Sequence, residues 1–154
     1  MYSGYELCEN EPYPGKEGYT HSEKYELKNR ALDEPGNIKP FIALLNQARR
    51  ENPALQLYDN LVFHPADHSQ VLCYSRATPD LGNRILVVVS LDLAAPVETM
   101  VHLNLHALGL QDGQTFLVHD LLHGSRYHWA GSSNFVALRP DRVALHLFRI
   151  EVEE

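Results

Sequence analysis

Nine histidines stand among the 154 residues, and three pairs of them sit four apart: His64/His68, His102/His106 and His119/His123. On a helix that spacing puts two imidazoles on one face, where they can chelate Zn²⁺. Here the surroundings read as strand and turn, and four strand residues span about 13 Å, too far for one ion. The pairs are therefore expected to be structural or surface histidines, with no metal. A second resource is carboxylate: Glu6, Glu9, Glu11 and Glu17, then Glu23 and Glu26. Glycoside hydrolysis needs two carboxylates about 5 to 9 Å apart. Nothing in this spacing holds two at such a distance or dries the space between them, so they read as a solvated loop. Aromatic residues are the third resource. Tyr2, Tyr5, Tyr13, Tyr19 and Tyr25 crowd the first 25 residues, and Tyr127 and Trp129 lie two apart on a predicted strand. Aromatic faces pack against sugar rings while polar edges catch hydroxyls. Tyr127 and Trp129 are thus candidate sugar-stacking residues, the alternative being that they pack in or beside a core. There is no GxSxG, GxGxxG or P-loop. Cys8 and Cys73 have no CxxC spacing and read as two unpaired thiols of a reducing compartment.

The elements that must position these residues change character along the chain. Residues 1–37 carry Tyr, Glu, Gly, Pro and Lys with only Leu7, Leu27 and Leu32 as aliphatic residues. Such a stretch cannot bury enough apolar surface to fold alone and reads as a long loop that needs a neighbour. One helix follows. Ile38, Phe41, Leu44, Leu45 and Ala48 form a stripe at helical period. Asn37 suits the N-cap, Pro40 is tolerated in the first turn, Arg49 and Arg50 suit the last turn, and Pro53 ends the helix. After residue 60 the pattern becomes β. Predicted strands are 61–63, 71–76, 84–91, 100–105, 115–120, 125–129, 134–138 and 144–152, separated by turn signals such as Asp112-Gly113 and Gly131-Ser132-Ser133. About eight short strands at such spacing predict a mostly β fold, an antiparallel β-sandwich.

Composition narrows the function classes. Apolar residues make up 44%, charged residues 21%, and the formal charge is −7. An acidic chain repels phosphate backbones, so no nucleic-acid partner is expected. No apolar run approaches membrane-spanning length, the longest being Ile85 to Val89, and no signal peptide is visible. The expected location is the cytoplasm.

Several motifs carry a resemblance. Tyr2-Ser3-Gly4-Tyr5-Glu6-Leu7-Cys8-Glu9, Ser22-Glu23-Lys24-Tyr25-Glu26, Ile42-Ala43-Leu44-Leu45-Asn46 and Arg49-Arg50-Glu51-Asn52-Pro53-Ala54-Leu55-Gln56 occur in that order. They are followed by Ile85 to Asp92, Leu108-Gly109-Leu110, Val118 to Leu122 with Gly124, Tyr127 and Trp129, and His146-Leu147-Phe148-Arg149. Together these resemble the end of an α-amylase-superfamily barrel (glycoside hydrolase family 13) and the domain that follows it. The branch they resemble is the α-1,4-glucan:maltose-1-phosphate maltosyltransferases; trehalose synthases are the nearest confusable branch. Ser90 is a small departure, standing where the family pattern has Asn.

The resemblance implies residues 1–55 as a remnant of barrel strand 8, its βα loop and helix 8, and residues 56–154 as a C-terminal β-sandwich of the α-amylase type. It implies a parent reaction: retaining transfer of a maltosyl unit from maltose 1-phosphate to an α-1,4-glucan, with no cofactor and no metal. Lys24 and Tyr25 match family positions that contact the donor sugar. The family's catalytic nucleophile, acid/base and transition-state-stabilising carboxylates lie on earlier barrel strands, and none of those motifs occurs here. The chain alone is therefore expected to be inactive, with the parent's catalytic barrel as its partner. Maltose 1-phosphate or α-glucan is expected to bind only in that context. Self-association through an uncovered helix stripe is a further expectation. The alternatives are a free-standing carbohydrate-binding module, the C-terminal domain of a trehalose synthase or α-amylase, and a metal-dependent sandwich enzyme.

Overall fold

Helix α1 (Lys39–Glu51) begins where Asn37 Oδ1 accepts the Lys39 N–H at 3.1 Å. It ends where Asn52, held extended before Pro53, leaves the helical region (φ −122°, ψ 99°). The computed structural model describes residues 4–20 and 27–152. Two compact units emerge, Met1–Gln47 and Ala48–Glu154.

In the first unit a 3-10 turn, Tyr5–Leu7, is followed by irregular chain with one isolated bridge, Pro12 to Tyr19. Gly4 sits at φ +95°, a backbone conformation that calls for glycine. Glu9 accepts hydrogen bonds from Lys28 Nζ (3.0 Å) and Arg30 Nε (3.2 Å), which hold its carboxyl below the ordinary range. The Glu6 carbonyl accepts the Ile38 N–H.

The second unit is an eight-stranded antiparallel sandwich with sheets of unequal size. Strands β1 (Leu61–His64), β2 (Val71–Ala77), β3 (Arg84–Ser90), β8 (Leu145–Glu151), β5 (Thr115–Asp120) and β6 (Arg126–Ala130) pair in that order. Strands β4 (Val97–His102) and β7 (Ser133–Leu138) form the second sheet. Alternation places Leu86, Val88, Phe116, Val118, Phe148 and Ile150 of the large sheet against Val101, Val136 and Leu138 of the small one. β3 is buried on both faces, since Ile85 and Leu86 are each 0% exposed, which is why it reads as a continuous apolar run.

One expected strand is displaced. The chain is a strand over Val97–His102 and not over 100–105. Beyond it the Leu103 N–H turns to the Ser132 carbonyl, and His106–Leu108 form a 3-10 turn that drives Leu105 and Leu108 into the core. Apolar residues at 103, 105 and 108 thus fill the end of the sandwich without being strand. Asparagines clamp the segment that leads into β1. Asn52 Nδ2 donates to the Ala48 carbonyl, Asn83 Nδ2 donates to Asn52 Oδ1, and the Ala54 N–H donates to Asn83 Oδ1. Asn60 Nδ2 donates to the Ala54 and Ala77 carbonyls, each at 2.9 Å.

Candidate functional site

Strands β6 and β7 each end their sheet, and the gap between them opens at one corner of the sandwich. β6 carries Tyr127 and Trp129 to it, β7 carries Phe135 and Ala137, and β8 supplies the floor with His146 and Phe148. The cleft measures about 190 Å³. The two aromatics singled out in the sequence have different fates. Trp129 is only 9% exposed and lies edge-on to Phe116 and Phe148, with ring centroids 6.4 and 5.2 Å away. It belongs to the core. Tyr127 is 44% exposed and meets Phe148 edge-on at 6.2 Å, so its ring forms a wall of the cleft. The facing wall is Phe135, 57% exposed. Its other side borders a second hollow of about 340 Å³ lined by Asp67, His68, Glu98, Thr99 and Met100.

Beneath the cleft lies a buried polar cluster. Asp120, fully buried at the end of β5, accepts His146 Nδ1–H at 2.7 Å and His123 Nδ1–H at 2.9 Å on Oδ2. Its Oδ1 accepts the backbone N–H groups of Leu122 (3.0 Å) and His123 (3.4 Å). Burial alone would raise its pKa, but these hydrogen bonds outweigh it and hold the carboxyl below its ordinary value. His146 Nε2 faces the Ala137 carbonyl at 3.2 Å, so both ring nitrogens are held by acceptors, one on β7 and one on the β5 end. The ring stacks on Phe148 at 4.8 Å and 13°. Asp120, His123 and His146 have ligating atoms within 4.8 Å of one another and are the one such group among the described residues. Both imidazole Nδ1 atoms are engaged with the same carboxylate oxygen, so the cluster as it stands is a hydrogen-bonded knot that ties β8 to the β5–β6 turn.

The three histidine pairs of the sequence do not act as pairs. His64 is buried; its Nδ1 accepts the Asn104 N–H, so Nε2–H donates to Ser75 Oγ at 2.7 Å, and burial pushes its pKa down. His102 lies between Ser133 Oγ (2.9 Å, on Nδ1) and Asp67 Oδ1 (2.7 Å, on Nε2). The order imitates a hydroxyl–imidazole–carboxylate relay, but Asp67 stands in solvent with its side chain 63% exposed, where the pair is screened. Cys73 is buried and its thiol is pushed up to about 12; Cys8 is exposed, and both are free. Lys24 and Tyr25 lie outside the described residues, as do Glu23, Glu26 and Tyr2. Phe135 went unnoticed in the sequence because a lone phenylalanine on an alternating strand reads as core. Its place on the same face as Ser133, opposite Val136 and Leu138, is the signal the sequence carries.

Comparison with known proteins settles the affiliation. Residues 63–150 match the family model described as "GLGE, C-terminal". The chain belongs to that family. Among curated relatives it is 46% identical to the alpha-1,4-glucan:maltose-1-phosphate maltosyltransferase of Myxococcus xanthus, over 97% of this chain and 23% of that protein. It is 48% identical to the enzyme of that name from Corynebacterium glutamicum, over 96% of this chain and 22% of that protein. The chain thus spans less than a quarter of the length of these relatives. Among solved structures, the maltogenic alpha-amylase AmyB from Thermotoga neapolitana superposes with a TM-score of 0.57 at 11% identity, over 79% of this chain and 28% of that one. An Anoxybacillus alpha-amylase gives 0.53 at 11% identity, over 75% and 22%. At such identity the two amylases speak for the fold, which agrees with the α-amylase-type C-terminal sandwich expected from the sequence.

Proposed function

We propose that this chain acts as the non-catalytic C-terminal portion of a transferase that moves a maltosyl unit from maltose 1-phosphate to an α-1,4-glucan. The observation that carries the reading is similarity of 46% along nearly the whole chain to a maltosyltransferase of which it spans only 23%. In this reading residues 1–55 complete a catalytic barrel and residues 56–154 brace it. The loop between Glu6 and Gly36 forms part of the donor pocket. Lys24 would donate hydrogen bonds to sugar hydroxyls there and Tyr25 would add a stacking or phenol contact. Active sites of such barrels lie on loops at the C-terminal ends of strands, which accounts for a loop that is long, polar and rich in tyrosine. The reading places the protein in the cytoplasm, where Cys8 and Cys73 stay thiols. Among the described residues no helix is long and apolar enough to cross a membrane. The same proposal includes self-association of the isolated chain through the α1 stripe, where Phe41 is exposed.

The test is a chimera. This chain replaces the matching segment of the Corynebacterium glutamicum relative, and maltosyl transfer from maltose 1-phosphate is followed by phosphate release. The chimera is expected to turn over, the Lys24→Ala chimera to lose most of its activity, and the isolated chain to show none. Turnover by the isolated chain, or a folded chimera without activity, would sink the reading.

A further inference from the structure

We infer that Phe135 is the platform of a surface site for a neutral α-glucan, with one glucose unit in the cleft between Phe135 and Tyr127 and the next against Asp67 and Glu98. The site deepens the reading just given, since it rests on the protein working on α-glucan, and it would be separate from the donor pocket.

The first support is that two exposed aromatic side chains line one small cleft. Tyr127 and Phe135 are 44% and 57% exposed, and the cleft between them is about 190 Å³. That is smaller than the roughly 300–1,000 Å³ of sites for drug-sized ligands and suits one ring. The apolar C–H face of a sugar packs on such rings while its hydroxyls point past their edges. The floor is rigid, because His146 is held at both nitrogens and stacked on Phe148.

Polar partners lie within reach on two sides. The Ala137 carbonyl points away from β4, as its bond from His146 Nε2 shows. Alternation in an antiparallel ladder turns the Phe135 N–H and C=O the same way, onto the open edge of β7. Among the described residues neither of these Phe135 groups finds a backbone partner, and both are free to meet a hydroxyl. On the far side of Phe135, Asp67 uses Oδ1 for His102 and keeps Oδ2, and Glu98, with Oε1 4.0 Å from Arg139 Nη2, stands with its side chain 62% exposed. Carboxylate oxygens are acceptors only, the complement of sugar O–H donors.

Shape and charge select the ligand. Phe135 is a shared wall between two hollows. An α-1,4-linked chain turns from one unit to the next and can bend over such a ridge, whereas a straight β-1,4-linked chain would meet only its crest. Asp67 and Glu98 together outweigh Arg139 beside the second hollow, and on a chain of formal charge −7 they disfavour a phosphorylated sugar. The site therefore takes the neutral polymer and rejects maltose 1-phosphate.

The experiment is an amide and aromatic NMR titration of the 154-residue chain with maltoheptaose, and in parallel with cellohexaose and maltose 1-phosphate, each to about 10 mM, a range that covers millimolar affinities. Saturable shifts at Phe135, Tyr127, Asp67 and Glu98 with maltoheptaose alone are expected. Phe135→Ala should weaken binding about tenfold or more, and Glu98→Gln about two- to fivefold, which correspond to about 1.4 and 0.4–1 kcal/mol. Both positions are exposed, so the variants fold, and Tyr127→Ala serves as an independent second variant. No saturable shift with maltoheptaose, equal response to maltose 1-phosphate, or binding that survives both Phe135→Ala and Tyr127→Ala would each overturn the site. So would shifts at Phe135 that grow with protein concentration and are unaffected by sugar, because they would assign the edge to a second copy of this chain. An active chimera without these shifts defeats the surface site alone. Shifts with an inactive chimera defeat the maltosyltransferase reading and leave the site standing.

Discussion

Among the described residues, only the second unit of this chain gives aromatic rings a buried core. In the first unit Tyr5, Tyr13 and Tyr19 are 54%, 48% and 54% exposed, and among its described residues before α1 only Gly4 is buried. In the second, Phe116, Trp129 and Phe148 are at most 9% exposed and meet edge to face around one centre. The difference is one of partners and not of residue type. A sheet face supplies a surface at fixed spacing, so inward-facing rings on β5, β6 and β8 of the large sheet meet across neighbouring strands. An irregular loop with three leucines in 37 residues supplies none. Stability should accordingly reside in the sandwich, and the loop should contribute chemistry once something covers it.

Substitutions in the two units would break that contrast or sharpen it. Phe148→Ala removes a 1%-exposed ring that touches Tyr127, Trp129 and His146. It should cost about 3–5 kcal/mol in urea unfolding. Asp120→Asn weakens the buried hydrogen bonds that the carboxylate accepts from His146 and His123 and should cost about 2–3 kcal/mol. Asn83→Ala deletes the bonds to Ala54 and Asn52 and should cost about 1–2 kcal/mol. At the other extreme, Tyr13→Ala should stay within about 0.5 kcal/mol. A loss at Tyr13 as large as at Asn83 would mean that the first unit is part of the cooperative core. Hydrogen exchange gives the same contrast residue by residue: slow in β3 and β8, fast through most of residues 4–20.

Acid should unfold the sandwich in two steps of the same sign. His64 has its pKa lowered from 6.5 by burial, so between that value and its folded pKa the unfolded chain binds more protons. Its contribution is complete above about pH 6.5 and is lost as pH falls below it. Asp120 is lowered from 3.8; its contribution holds above that value and fades as pH drops through the folded pKa. Urea midpoints measured across pH should therefore fall first below about 6.5 and again below about 3.8. In Asp120→Asn the second fall should shrink while the first persists. A midpoint that rises on acidification from pH 7 to 5 would refute the assignment of His64.

Strand existence was legible because burial on one side of a sheet writes a period of two into the chain. That is why 115–120 was found without error and 84–91 within a residue. The displaced strand at 97–102 marks the limit of that signal: Leu103, Leu105 and Leu108 are apolar because they are buried, and burial does not require strand. Histidine spacing could not show the cluster that forms, for a related reason. Local spacing suggested three pairs, yet the cluster that forms joins Asp120 and His123 to His146, 26 residues beyond Asp120, because β8 pairs with β5.

Composition and pattern by themselves determined a mostly β chain with one capped helix and a coreless tyrosine-rich beginning; the quoted motifs carried a family resemblance that the comparisons bear out. The tertiary structure decided how the strands divide into sheets of six and two, and that Trp129 turns inward while Tyr127 and Phe135 stay in view. It also decided that a buried carboxylate would hold two histidines. The physical reason is that a residue's own neighbours along the chain set its local geometry, whereas its exposure and its ionic partners depend on which distant strand lies beside it.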